Sequence, residues 1–202
     1  LLACVASGVP FKGLVVSGIA PETFLTSGTG LQKSFSDLIG PSGERNAVLL
    51  AAALRWCVIW DNGKLGLTGS SLTPTSEEMY KFLERTPQIR ESVSYAVNER
   101  LIGLPPSMVA FLHIAACLNG ERDRVELFLG RIKSGENISK KNPEFMVRKW
   151  LIDNAQAKRK ARPGYVLGIL IKSWNYARAG KTIAHLRIHT GEGFPVLQRP
   201  VK

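Results

Sequence analysis

The chain has 202 residues, 45% hydrophobic and 21% charged, with 19 Gly, 11 Pro and a formal net charge of +11. That much apolar material builds a core, which excludes a wholly disordered chain, a collagen-like repeat and a disulfide scaffold. Three widely spaced cysteines, Cys4, Cys57 and Cys117, sit in apolar runs and point to reduced thiols in a cytoplasmic compartment. No run of about 18 uninterrupted apolar residues is present, so no membrane span is expected.

Taken in chain order, residues 1–8 read as the last turns of an apolar helix closed by Ser7-Gly8. Residue 1 is Leu, and Leu1 to Ala6 read as the middle of a pattern, so the chain is expected to be a piece of a longer one. Leu14-Val15-Val16 forms a short buried strand ended by Ser17-Gly18. Ser27-Gly28-Thr29-Gly30 is a glycine-bearing loop, and Ser34 caps a short helix stopped by Gly40-Pro41. Helical patterns follow. Arg45 to Trp60 is apolar on most faces and reads as the central core helix. Thr75 and Glu78 fit a capping box, and the helix behind them places Met79, Phe82 and Leu83 on one face. Pro87 opens a helix to about Leu101. Leu104-Pro105-Pro106-Ser107 starts another, which ends at Asn119-Gly120. Arg122 to Ile132 is the next helix. Asn142-Pro143-Glu144 starts a long one to about Lys160, interrupted by Pro163-Gly164. Tyr165 to Ala179 is the last helix, with Gly180 as its stop, and the tail from Gly191 is irregular.

The charge is unevenly placed. Residues 1–120 carry 9 basic and 9 acidic side chains, and residues 121–202 carry 18 and 7. The densest cluster is Lys158-Arg159-Lys160-Ala161-Arg162, with Arg148 and Lys149 three turns earlier. Such an excess is the footprint of a polyanion-binding surface. The competing reading is a solvated face that keeps the protein soluble. Lys172 and Arg178 flank Trp174-Asn175-Tyr176, a mixture of cations and rings that can stack on bases. Packing predicts Trp174 in the core and Tyr176 half exposed. Arg178 and Lys181 are further candidates for phosphate contact.

Other motifs yield less. His185 and His189 at i and i+4, followed by Thr190-Gly191-Glu192, look like the end of a zinc finger. The cysteine pair such a finger needs is missing, so no metal site is assigned. Ser27-Gly28-Thr29-Gly30 with Lys33-Ser34 departs from the spacing of a Walker loop. Thr29, Gly30, Lys33 and Ser34 nevertheless offer backbone N–H groups and a cation to a phosphate. Cys117 and His113 at i and i+4 form a possible nucleophile–base pair, set against the commoner buried, satisfied histidine. No complete catalytic constellation emerges.

Several stretches resemble a group of phage- and actinobacteria-associated proteins with an N-terminal ParB/sulfiredoxin-like domain. They are Val9-Pro10, Val15 to Gly18, Thr29-Gly30 with Lys33-Ser34, Leu50 to Trp56, Ile171 to Asn175, and Glu192 to Pro195. In that group an Asp-Gly-Gln-His-Arg-Leu stretch precedes the region that Leu1-Leu2-Ala3 would continue. Here that stretch is absent, and Gly28 stands where the family loop is acidic. The resemblance implies a DNA-associated or mobile-element context.

Together these readings predict a mainly α, multi-helix protein. Residues 1–40 would be the remnant of an α/β, ParB-like domain, and residues 41–202 a helical domain with a basic C-terminal part. The first functional expectation is a DNA-associated accessory protein of phage or mobile-element type. It would bind phosphates through Arg148, Lys149, Lys158, Arg159, Lys160, Arg162, Lys172 and Arg178. One alternative is a fragment of a nucleotide-dependent ParB-like enzyme, whose phosphate pocket Thr29, Gly30, Lys33 and Ser34 complete and whose catalytic motif lies upstream. Another is an interaction subunit that docks on an acidic partner, with a homo-oligomer as a further expected partnership. No cofactor is assigned to the chain itself.

Overall fold

Seven helices form among the described residues, and local chemistry sets where most of them start. The computed structural model describes residues 44–66, 74–136, 138–189 and 193–197. The expected α/β remnant, with Thr29, Gly30, Lys33 and Ser34, lies outside them.

Helix α1 is Glu44–Asp61 and α2 is Ser76–Arg85. The Glu78 N–H donates to Thr75 Oγ1 at 3.2 Å and the Thr75 N–H donates to the Glu78 carboxylate at 2.7 Å, so the expected capping box closes in both directions. Helix α3, Ile89–Asn98, starts two residues after Pro87. Helices α4 (Pro106–Leu118), α6 (Pro143–Gln156) and α7 (Pro163–Arg178) each begin on a proline. Proline suits that position because its missing N–H would have no partner in the first turn. Helix α5 is Arg122–Ser134. Between α4 and α5, Gly120 takes a φ of +72°, where Asn119-Gly120 was expected to stop the helix.

The centre of the array is α4 rather than α1. Residues Met108 to Ala116 are buried without interruption, on every face. In contrast, Val48 of α1 is 57% exposed. Both helices lack a polar stripe, so periodicity could not rank them, and only packing does. Helices α1, α3 and α5 all lie against α4, α2 packs on α1, and α6 and α7 pair beyond α5. One apolar core runs through the whole set from Leu50 to Leu197.

Helix α6 ends four residues earlier than expected. Ala157 turns extended with ψ 141°. The Asn154 carboxamide oxygen then accepts the Ala161 N–H at 2.8 Å. Arg162 must be extended because it precedes Pro163, and Asn154 offers the backbone an alternative to helix. Residues 157–162 therefore form a connection between two helices, and the basic cluster lies on it rather than on a helix face.

After α7, residues 181–189 form no helix or strand and run back along that helix. The Ile183 N–H donates to the Lys141 carbonyl at 3.1 Å. Lys172 Nζ donates to the Arg187 carbonyl at 2.8 Å, and the Ile188 N–H donates to the Tyr165 hydroxyl at 3.3 Å. Residues 193–197 touch both α7 and α1. Asn175 Nδ2 donates to the Val196 carbonyl at 2.8 Å, and Trp60 Nε1 to the Leu197 carbonyl at 3.0 Å. Ile183, Leu186, Ile188 and Leu197 are buried beneath this strap.

Candidate functional site

Which cations are available to a ligand depends on which are already answered by an acid. Arg85 pairs with Asp61, Arg122 with Glu91, Arg124 with Glu121, Arg131 with Glu144 and Lys133 with Glu99. Of the expected phosphate ligands, three have commitments within the protein. Arg148 Nη1 donates to the carbonyls of Ile132 and Lys133, at 2.5 and 2.6 Å, and so closes the C-terminal end of α5. Arg178 pairs with Glu121 at 3.4 Å, and Lys172 holds the strap.

The other five stand apart. Lys149, Lys158, Arg159, Lys160 and Arg162 are exposed and make no ion pair or side-chain hydrogen bond with a described residue. Four of them share the six-residue connection between α6 and α7. Lys158 and Arg159 follow the negative end of α6, a favourable place for a cation. Arg162 has the opposite setting. It occupies the N-cap of α7 with no side-chain capping bond, where an oxygen-bearing side chain usually stands. The positive end of α7 therefore adds to the field of the cluster instead of offsetting it.

A shallow cleft opens further along α7, where residues 193–197 cross it. Lys172, Asn175, Tyr176, Gly193 and Pro195 line about 150 Å³. Trp174 is in the core as expected, 1% exposed, with its ring 5.4 Å from Phe128 in an edge-on arrangement. Tyr176 is half-buried and lines the cleft. Sequence reasoning missed Arg187, which is exposed on the strap between His185 and His189. The signal was present as the alternation of Leu186 and Ile188 with polar neighbours, a strand-like period of two.

That alternation also removes the premise of the two-histidine half-site. Residues 185–189 form no helix, so the i, i+4 spacing of His185 and His189 gives them no shared face. They do not meet on a helix face. Among the described residues, no group of three metal-binding side chains comes together.

Cys117 and His113 do approach each other. The thiol lies 3.6 Å from Nδ1 and 3.9 Å from Nε2. Both ring nitrogens, however, have closer partners. Ser92 Oγ is 2.9 Å from Nδ1 and Glu126 Oε1 is 3.1 Å from Nε2. A carboxylate only accepts, so Nε2 carries the proton and Nδ1 accepts from the serine hydroxyl. Tyr95 stacks on the imidazole at 4.4 Å. Burial holds the His113 pKa below its ordinary value and outweighs the pull of Glu126, so the contact is a neutral imidazole on a carboxylate. Burial also raises the Cys117 and Cys57 thiols. The result is a satisfied buried histidine beside a resting thiol, not an activated nucleophile. No family model, curated protein or solved structure matches the chain.

Proposed function

We propose that the chain binds the phosphate backbone of a nucleic acid through the connection between α6 and α7. Lys158, Arg159, Lys160 and Arg162 are the main contacts, with Lys149 beside them. The carrying observation is local density. Four exposed cations with no acid or carbonyl partner among the described residues stand within residues 158–162, and one of them occupies the positive end of a helix. That placement costs stability in the free protein and is offset when an anion arrives. Phosphate contacts of this kind position a nucleic acid without reading its sequence. The resemblance to ParB-like proteins of phage and mobile elements makes DNA the first polyanion to test, in an accessory role.

The test is fluorescence anisotropy on a random-sequence duplex between about 50 and 300 mM salt. Five contacts give a log–log slope of about −4.5. Replacing Lys158, Arg159, Lys160 and Arg162 together by alanine flattens it by about three to four units. A slope that survives this change overturns the assignment.

A further inference from the structure

We propose that the layer formed by α6, α7 and the strap lies along a nucleic-acid duplex and holds it at both ends, with Lys140, Lys141 and Lys181 as a second group of phosphate contacts opposite the connection. This rests on the phosphate-binding reading and adds to it a second site and the class of strand. Nearly all of the net charge falls in that layer. Residues 1–139 carry 13 basic and 13 acidic side chains, whereas residues 140–189, which run from just before α6 into the strap, carry 12 and 2. Of those two acids Glu144 is buried against Arg131, and only Asp153 is exposed. Of the twelve cations, Arg148, Lys172 and Arg178 are committed within the protein. The other nine are exposed and make no ion pair or side-chain hydrogen bond with a described residue.

Folding gathers the second group from two segments 40 residues apart in sequence. The Ile183 N–H donates to the Lys141 carbonyl at 3.1 Å, and the Lys181 N–H donates to the Tyr176 carbonyl at 2.9 Å. The residues just before α6 therefore stand beside those just after α7, while the connection joins the other two ends of the same helices. That sets the two groups about 21–24 Å apart, the length of 14 and 16 helical residues. No single phosphate reaches both. A duplex covers the distance in about six to seven base pairs, at about 3.4 Å each, and is stiff over that length. Arg187 stands between the groups. Its side chain is exposed, and its carbonyl accepts from Lys172, just past the middle of α7.

The aromatic rings select the class of strand. Surfaces that hold single strands combine cations with exposed rings on which bases stack. On this layer Trp174 is in the core, and Phe145, Trp150, Tyr165, Tyr176 and Phe194 are all partly buried, so none of its described rings is exposed. The layer offers charge without a stacking platform, which suits a backbone whose bases are already paired inside a duplex.

The experiment follows salt dependence on a random-sequence duplex of about 16 base pairs, longer than the layer. Nine contacts give the wild-type chain a log–log slope of about −8, where the connection and Lys149 by themselves give about −4.5. Replacing Lys140, Lys141 and Lys181 together by alanine is expected to flatten the slope by about 2.7 units, and an unchanged slope overturns the second group. With Lys158, Arg159, Lys160 and Arg162 replaced instead, a residual slope of about −4.5 is expected. A residual of about −0.9 would leave Lys149 alone, which overturns this proposal and keeps the phosphate-binding reading. Independently of any variant, acetylation of the wild-type chain by a succinimidyl ester, with and without duplex, reports which lysines are covered. Protection is expected at Lys140, Lys141 and Lys181 as well as at Lys158 and Lys160, and not at Lys64. Protection confined to residues 149–160 overturns the two-ended hold. A single strand of the same length that binds as tightly as the duplex overturns the choice of strand. Absence of any salt-dependent binding overturns the phosphate-binding reading and this proposal with it.

Discussion

Arg148 and Arg159 carry the same charge, but the protein uses them differently. Arg148 spends its guanidinium on two carbonyls at the end of α5, so its contribution is to stability. Arg148→Ala is expected to cost about 1–2 kcal/mol, seen as a lower urea midpoint, because the carbonyls lose a charged donor. The salt slope of DNA binding should not move. A slope reduced by about one unit would instead place Arg148 among the phosphate contacts. His113 supports a second expectation at this scale. Burial lowers its pKa in the folded state, so the unfolded chain binds its proton more readily. Its contribution is complete above about pH 6.5, the unfolded value, and is lost as the pH falls below it. Urea midpoints at pH 7.5 and 5.5 should therefore differ, and in His113→Gln the difference should shrink. An equal difference in the variant would assign the acid sensitivity to other groups.

Among the elements, the links between helices are as determined as the helices themselves. Gly103 and Gly120 share a φ of +72°, so alanine at either meets the same backbone strain, about 1–2 kcal/mol. They differ in what the new Cβ touches. At Gly120 nothing lies within 4 Å, whereas at Gly103 it would stand 2.8 Å from the Leu151 carbonyl oxygen of α6. Gly103→Ala should therefore cost clearly more in chemical unfolding than Gly120→Ala, and equal costs would mean that α6 yields freely. Such links also show what is legible in a sequence. The starts on Thr75, Pro106 and Pro143 and the stop at Gly120 are local rules, visible within a few residues, whereas Pro163-Gly164, expected as an interruption, opens α7. The end of α6 was not visible in this way, because it depends on Asn154 bonding to a backbone group seven residues away. The rank of α4 over α1 is a matter of neighbours. Which cations are unanswered is equally tertiary, since Arg178 meets Glu121 and Lys172 meets the Arg187 carbonyl only after folding. Composition found the basic half of the chain and its densest cluster, and folding placed that cluster on the connection between α6 and α7.

For the whole molecule, the strap does the closing. Phe111, fully buried on α4, meets Trp60 edge-on at 6.0 Å. Trp60 in turn donates to the Leu197 carbonyl. Trp60→Phe removes that donor, keeps most of the packing, and is expected to cost about 1 kcal/mol. The larger effect should be local: faster cleavage after residue 180 in limited proteolysis, with α1 to α7 still protected. Uniform cleavage along the chain would show that the strap is not a separable unit. The bond joins residues 137 apart in sequence, whereas the helix contacts are mostly between near neighbours in the chain. Contacts of short range form quickly, and those of long range are slow because the loop between them must first be closed. During synthesis α1 to α7 can therefore assemble as they leave the ribosome, while the end of α1 waits for residues 193–197. Until then the groove on α7 has only one wall. A nascent or clipped chain without residues 193–197 would carry the basic connection while Trp60 still lacked its acceptor, so the helical body would exist before it is tied shut.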